Sequence, residues 1–540
     1  MTIPQKIKDI SLLCAILILG FALRAYNANF QSIGFHNMQE NEFIGLAHNM
    51  QNDRSYAAAK TYYHDSFNDG AAANRRLQPP LVSYQTLLAW KAFGENVWGP
   101  RLINIIFGAG SILLVYFIAA LLLGNRNIAL LAALEMAIMP LGVFFSRNLQ
   151  PDSPAFFFML LGTLFYLRFA KGGMRHNLAL GGVFFSAAWF YKFNFLIGLL
   201  PILFVLPSGL KKEKRWFPAL DAILFVAPYL AIAAYLYLSY RWGIFRPDGL
   251  VPDKLPSAFT LSYWREAGQV IFTYMTRDNF TPAMLASAAA GMILAAKRRD
   301  GPAARYIAGW IPAIALYCVL FSLPMSQNSY CQMPMAGLVC LASAYAACAI
   351  GAFLKRYVRI DIAAPILAAV ILLSVMPARE SITRMHSTVF IGVDAAGESL
   401  RSFTKPGDRV FLLTHPQGSG IARYAQRHTG WTNDVAEFME KEKEFGINYI
   451  CFYPSDYLAS LKTGNPELFR YIESNYHLKE LGMTEEPRRV YYMILEKGAK
   501  KDPEDLLGAF SGNMQLKVIY RIPGSLIFFN IMRPESGEKE

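Results

Sequence analysis

The chain has 540 residues, of which 54% are hydrophobic, 14% aromatic and only 17% charged, with a formal net charge of +13. A mean hydropathy of +0.26 excludes an ordinary soluble enzyme of this length. The positive charge does not point to nucleic acid either, because most basic clusters flank apolar runs, as membrane topology requires.

Apolar runs recur from Leu12 to Val375, whereas Arg379 to Glu540 has a soluble composition. The sequence therefore predicts a membrane domain over 1–378 and a water-soluble domain over 379–540. A helix needs about 20 apolar residues to cross the hydrocarbon, and about eleven spans are predicted. In chain order they are Ser11–Arg24, Arg101–Leu123, Ile128–Phe145, Pro154–Phe169, Leu178–Tyr191 and Phe195–Leu206. Phe217–Tyr240, Met284–Ala296, Tyr306–Leu323, Met335–Phe353 and Ile362–Met376 follow. The first run follows Lys6 and Lys8 as a signal peptide would, but no small-residue cleavage site follows it. It reads as an uncleaved helix.

Cations orient these spans. Lys6 and Lys8, Arg126, Arg168-Lys171-Arg175, Lys211-Lys212-Lys214-Arg215, Lys297-Arg298-Arg299 and Lys355-Arg356-Arg359 fall on one side, which is then cytoplasmic. This parity needs Leu178 to Leu206 to form two short passes or a re-entrant hairpin, with Lys192 at its far tip. It places outside the first loop (Ala25 to Pro100), the turn Ser146 to Ser153, the loops Arg246–Thr281 and Leu323–Gln332, and the whole C-terminal region. Pro80–Phe93 is apolar but short, and is predicted to lie in the outer interface, as is Glu42–Met50.

The C-terminal region alternates in type. Arg409–Thr414, Tyr449–Tyr453 and Arg489–Leu495 read as strands; Gly420–Arg427, Asp434–Phe445 and Pro466–Tyr476 read as helices. Leu516–Tyr520 and Ser525–Met532 bracket Pro523-Gly524 as a hairpin would. The fold class is thus an α-helical polytopic membrane protein with interfacial helices in its first outer loop and a C-terminal extracytoplasmic α/β domain. The six cysteines show no CxxC or zinc spacing, so no disulfide framework and no metal site are implied.

The candidates for chemistry are polar residues of the outer face. Glu40 and Glu42 sit two residues apart, straight after the first span and beside His36. A partly shielded carboxylate at such a place suits a general base; the same acids would also favour the positive end of a helix starting near Phe43. Asp152 follows Pro151 in a tight turn that also carries Arg147. It could act as a second acid or simply cap the helix that Pro154 begins. Arg75 and Arg76 precede Pro79-Pro80, and Lys192 interrupts an apolar stretch. Charge at membrane depth is a functional candidate, and phosphate is its natural ligand near lipid headgroups; for the arginines, snorkelling is the plain alternative. Tyr330, in the outer loop Ser326–Pro334, could hydrogen-bond phosphate or belong to an aromatic belt.

The order of these features resembles the integral-membrane glycosyltransferases of the GT-C superfamily. The likeness is to the family 39-like group of protein O-mannosyltransferases and the aminoarabinose transferases that act on lipid A. The resemblance runs from Ile10 to Met376. It rests on the acidic motif and helix Glu40–Asn49, Pro79-Pro80 with the helix after it, Gly94–Arg101, the turn Ser146–Asp152, Lys192, and Tyr330–Pro334. The likeness implies a sugar donor linked to polyprenyl phosphate, taken from the outer leaflet of the cell's inner (plasma) membrane. It implies transfer with inversion to a hydroxyl of a lipid, glycan or protein acceptor. Glu40 or Glu42 would be the base and Asp152 the second acid, while Arg75 or Arg76, Lys192 and Tyr330 would hold the lipid phosphate. Acids and phosphate could share a divalent metal, which the sequence does not demand. Relatives often have adjacent acids and a lysine before the prolines, where this chain has Asn41 between its acids and Gln78. A transporter or flippase of lipid-linked sugars, or a surface-polysaccharide ligase, is the rival expectation; a transporter would show repeats and mid-membrane ionisable residues.

Overall fold

A computed structural model describes residues 5–54, 61–63, 79–205, 219–242, 259–298, 301–358, 360–414, 417–498 and 514–533. Arg75 and Arg76 lie outside these residues. The helices before the sheet are α1 (Gln5–Ala25), α2 (Asn37–Asp53), α3 (Leu81–Phe93), α4 (Trp98–Leu123), α5 (Arg126–Ile138), α6 (Pro140–Phe145), α7 (Asp152–Gly172), α8 (Arg175–Tyr191) and α9 (Leu199–Ile202). They continue as α10 (Ala219–Val226), α11 (Leu230–Arg241), α12 (Leu261–Thr273), α13 (Pro282–Arg298), α14 (Gly301–Gln327), α15 (Ala336–Val358), α16 (Ala363–Ser387) and α17 (Val393–Phe403). Strands and helices then alternate: β1 (Arg409–Thr414), α18 (Gly418–Ala425), β2 (His428–Gly430), α19 (Val435–Phe445), β3 (Tyr449–Tyr453), α20 (Asp456–Gly464) and α21 (Pro466–Asn475). Four strands close the chain: β4 (Tyr476–Thr484), β5 (Arg489–Lys497), β6 (Met514–Ile522) and β7 (Ser525–Met532).

The chain divides into two compact units, Met1–Asn29 with Arg75–Arg384, and Phe30–Asn74 with Met385–Glu540. In the first, six helices among the described residues are long and apolar enough to cross a membrane, or seven if the bent pair Leu261–Asn279 and Pro282–Arg298 is one span. That is fewer than the about eleven predicted from runs of apolar residues. The shortfall has a physical cause. Ile128–Phe145 is broken at Met139-Pro140 into α5 and the six-residue α6. Leu178–Leu206 is broken at Lys192, after which a 3-10 turn (Phe193–Gly198) leads into the four-residue α9. Pro140 carries no N–H to extend the hydrogen-bond ladder, and at Lys192 the backbone turns extended (φ −159°, ψ 116°), so continuous hydropathy does not give continuous helix.

The second unit is built on a seven-stranded sheet in the order β2-β1-β3-β5-β4-β7-β6. β1 runs parallel to β2 and β3, and the other pairs are antiparallel. Alternation in β1 sends Val410 and Leu412 to one face, against Val393, Leu400 and Ile421, and Phe411 to the other, against Phe438. Burial on both faces makes this half of the sheet α/β in character. Sequence alternation finds β1, β3, β5 and the β6–β7 hairpin, whose turn carries Gly524 at φ 82°. It misses β2, β4, α17 and α20.

Part of the first loop belongs to this second unit. Thr429 N donates to Tyr62 O at 2.8 Å, and Tyr63 bridges Thr429 in parallel sense, so this segment covers the sheet edge at β2. α2 packs on α18 and is buried along Phe43–Met50, with Leu46 and Ala47 fully inaccessible. The helix expected in the interface from Glu42 therefore starts earlier, at Asn37, and is a core element.

Candidate active site

In the membrane unit three of the expected residues meet. Lys192 stands where α8 ends, in extended backbone, and its Nζ donates to both Asp152 oxygens at 2.9 Å. Asp152 is fully buried in the first turn of α7, where the helix dipole favours a carboxylate. The Lys192 ammonium also lies 4.5 Å from the Tyr330 ring centroid, a cation–π contact in a desolvated setting. An ammonium has three donors and Asp152 takes two, leaving the third for an anionic ligand.

Polar residues from neighbouring helices fix this trio. Asn104, buried in the second turn of α4, donates to Asn148 O at 2.7 Å and Gln150 O at 2.8 Å, and Ser153 Oγ donates back to Asn104 O at 3.0 Å. These bonds clamp the turn that leads into Asp152. Arg147, in the same turn, donates to Asn27 O at 3.1 Å and lies 5.2 Å from the Phe144 ring, so it braces the turn. The Tyr330 segment (Ser329–Met335) is held from two sides. Asn279, in a π-helical turn (Tyr274–Asn279), donates to Ser329 O at 2.8 Å and Gln332 Oε1 at 3.0 Å. Tyr317 OH donates to Cys331 O at 2.7 Å while accepting from Asn194 Nδ2 at 2.6 Å. Asn104, Asn194, Asn279 and Tyr317 escape the sequence reading. Asn104 is a lone amide in an apolar span and could have been found by that anomaly alone.

Glu40 and Glu42 belong to the second unit. Both lie inside α2 rather than in a loop, and two residues on a helix point about 200° apart, so they have different surroundings. Glu40 is 2% exposed and accepts from Ser32 Oγ at 2.6 Å. Beside it Asn37 and Asn41 both donate to Ser32 O, and Asn37 also donates to Gln417 Oε1. Glu42 is half-buried and lines a cavity of about 10 Å³ with Asn41, Tyr62, Tyr63, Ser419 and Arg423, room for about one water. His36 precedes α2 with φ 53°, its ring 4.1 Å from that of Phe35.

No group of three or more His, Cys, Asp or Glu side chains placed to hold a metal occurs among the described residues. Asp152 gives both of its oxygens to the Lys192 ammonium.

Residues 77–234 match the sequence profile of the dolichyl-phosphate-mannose-protein mannosyltransferase family. The chain is 30% identical over 176 residues to an undecaprenyl phosphate-alpha-4-amino-4-deoxy-L-arabinose arabinosyl transferase of Pseudomonas aeruginosa, covering 32% of this chain and 31% of that protein. It is 27% identical over 214 residues to a putative mannosyltransferase of Bacillus subtilis, covering 38% of this chain and 28% of the relative. The chain thus spans under a third of the length of these curated relatives. Among solved structures, ArnT from Cupriavidus metallidurans bound to undecaprenyl phosphate aligns with a TM-score of 0.51 at 13% identity, over 92% of this chain and 100% of that one. The oligosaccharyltransferase AglB from Archaeoglobus fulgidus, in complex with an inhibitory peptide and a dolichol-phosphate, aligns with a TM-score of 0.54 at 12% identity, over 93% and 75%. Over residues 77–234 the chain is similar to the dolichyl-phosphate-mannose-protein mannosyltransferase family, and over more than nine-tenths of its length it shares the fold of these two solved structures.

Proposed function

We propose that the protein transfers a sugar from a polyprenyl-phosphate donor to a hydroxyl of a lipid, glycan or protein acceptor, on the extracytoplasmic face of the inner (plasma) membrane. The observation that carries this reading is the buried Lys192–Asp152 pair beside Tyr330. A phosphate-linked sugar already has a good leaving group. The enzyme needs to orient the acceptor, take its proton and receive charge on the departing phosphate oxygen. In this reading the acceptor oxygen attacks the anomeric carbon, and the carbon–oxygen bond to phosphate breaks with its electron pair leaving on phosphate. Lys192 offers its third N–H to that oxygen, aimed by Asp152, with Tyr330 shielding the ammonium from water. Glu40 or Glu42 takes the acceptor proton, and the small cavity that Glu42 lines favours Glu42. The expected outer cations Arg75 and Arg76 remain candidates for the rest of the phosphate. The basic clusters support this sidedness, with the Ser146–Ser153 turn, Lys192, Tyr330 and the C-terminal region opposite the cytoplasm.

Purified protein in proteoliposomes, given polyprenyl-phosphate sugars with nucleotide sugars as controls, tests the reading. Transfer from the lipid donor, lost in Glu42→Gln and retained in Glu437→Gln and in excess EDTA, is the expected result. Movement of intact lipid-linked sugar across the bilayer without bond cleavage would replace it with the transporter reading.

A further inference from the structure

Arg24 is the most deeply buried cation of the first helix, with no accessible surface at the end of α1. It takes no part in the transfer chemistry proposed for Lys192 and Glu42. Its partners are backbone carbonyls: Nη1 donates to Gly20 O and Ala137 O at 3.0 Å each, and Nη2 to Met136 O at 3.0 Å. Two of these acceptors lie in the last turn of α5. The residue four places after Met136 is Pro140, which has no N–H to give, and the backbone at Met139 leaves the helix at ψ 123°. The α5–α6 break therefore orphans carbonyls in a region where lipid cannot satisfy them, and the guanidinium replaces the missing donors. Space for it is made by glycine. A Cβ on Gly142 would lie 3.0 Å from Arg24 Nη2, and one on Gly108 would lie 2.3 Å from Ser146 Oγ and 3.2 Å from Arg24 Nε.

The break so fixed aims the segment after it. α6 carries Phe145, whose ring centroid is 5.5 Å from that of Tyr330, and Phe144, on which Arg147 rests. Ser146 then opens the turn that Asn104 clamps and that delivers Asp152 to Lys192. We propose that Arg24 is a positioning residue for sugar transfer: by capping the α5–α6 break it holds the Ser146–Asp152 turn and Tyr330 in register with Lys192. The inference rests on the proposed transfer activity.

The test separates positioning from simple stability. In Arg24→Met the two carbonyls lose their cap; in Arg24→Met with Pro140→Ala the residue at 140 regains an N–H for Met136 O, so α5 can run on and the break is relieved. The expected results, in the full chain in proteoliposomes, are a loss of at least about tenfold in kcat for Arg24→Met with donor KM changed under about twofold, and a double variant that regains thermal stability but not kcat. Arg24→Lys, which can reach one carbonyl, should keep intermediate kcat and serves if Arg24→Met does not fold. Unchanged kcat in Arg24→Met or Arg24→Lys, or a double variant that recovers kcat together with stability, overturns the proposal. Wild-type protein that transfers no sugar in the same assay would instead sink the underlying reading.

Discussion

The two units handle buried charge in opposite ways. In the membrane unit buried and part-buried ionisable side chains gather where helices begin, end or break: Asp152 in the first turn of α7, Lys192 just past α8, Glu135 in the last turn of α5, Asp278 in a π-helical turn, and Arg24 against the α5–α6 break. In the second unit several buried carboxylates meet phenols. Glu442 accepts from Tyr471 OH, Tyr476 OH and Lys497 Nζ; Glu480 from Tyr492 OH and Arg533 Nε; Asp394 from Tyr520 OH. The contrast follows from the solvent. Lipid supplies no hydrogen bonds, so an intact membrane helix has nothing to offer a charge and an interrupted one has freed backbone groups. A sheet domain in water can spend side chains on the same task. Charges of the first kind mark the architecture around a site, and charges of the second kind brace a fold.

The largest expected effect tests the first half of that contrast. Lys192→Met should lower transfer by about 10²–10³-fold, the usual loss when a preorganised donor to developing charge is removed. It also leaves Asp152 buried without its cation, so Asp152→Asn with Lys192→Met should recover expression and folding without recovering turnover. Activity in proteoliposomes together with detergent-phase thermal stability checks both arms. Full turnover in Lys192→Met would mean that this break is only structural.

The same contrast explains what the sequence makes legible. Lys192 stands out because it interrupts an apolar stretch, Asp152 and Tyr330 because they lie in polar segments between apolar runs, and the fold brings the three together. β1, β3, β5 and the β6–β7 hairpin are visible because alternation and turn residues are local signals. α2 is misread as an interfacial helix because its partner, α18, lies far along the chain, and no local period announces that long-range packing. β2, only three residues long, escapes because its pairing with β1 and with Tyr62-Tyr63 is the whole of its definition. Glu40 and Glu42 look equivalent on paper; only the helix placed under them separates a buried carboxylate from a half-buried one at a cavity. Asn104 and Asn279 act through carbonyls of other segments, which residue type does not reveal.

The second half of the contrast makes a smaller prediction, on folding rather than turnover. Glu442→Leu removes the shared acceptor of Tyr471, Tyr476 and Lys497, leaving phenols in a buried setting without their partner. A loss of roughly 3 kcal/mol is expected for such an uncompensated network. Hydrogen exchange should show protection lost first in β4 and β5, to which Tyr476 and Lys497 belong, while exchange in α7 is unchanged. Equal loosening of α7 would show that the two units do not store charge independently.

The smallest effect is a pH dependence confined to the second unit. Burial pushes the Asp394 carboxyl above its ordinary range, against the hydrogen bond from Tyr520, and burial together with Asp394 does the same to Glu398 one turn along α17. Arg423 opposes both shifts, and Arg401 that of Glu398. A carboxyl raised in the native state keeps its proton where the unfolded chain has lost it. Its contribution is therefore complete below the ordinary carboxylate range and falls away as pH rises through the raised value. Asp394→Asn should flatten that fall, so the variant loses less stability than wild type as pH rises above the ordinary carboxylate range, read as exchange protection in α17 and β6. A steeper fall in the variant would mean that the ionised carboxylate, bonded to Tyr520 in the first turn of α17, is the form the fold prefers, and that this domain stabilises buried anions as anions.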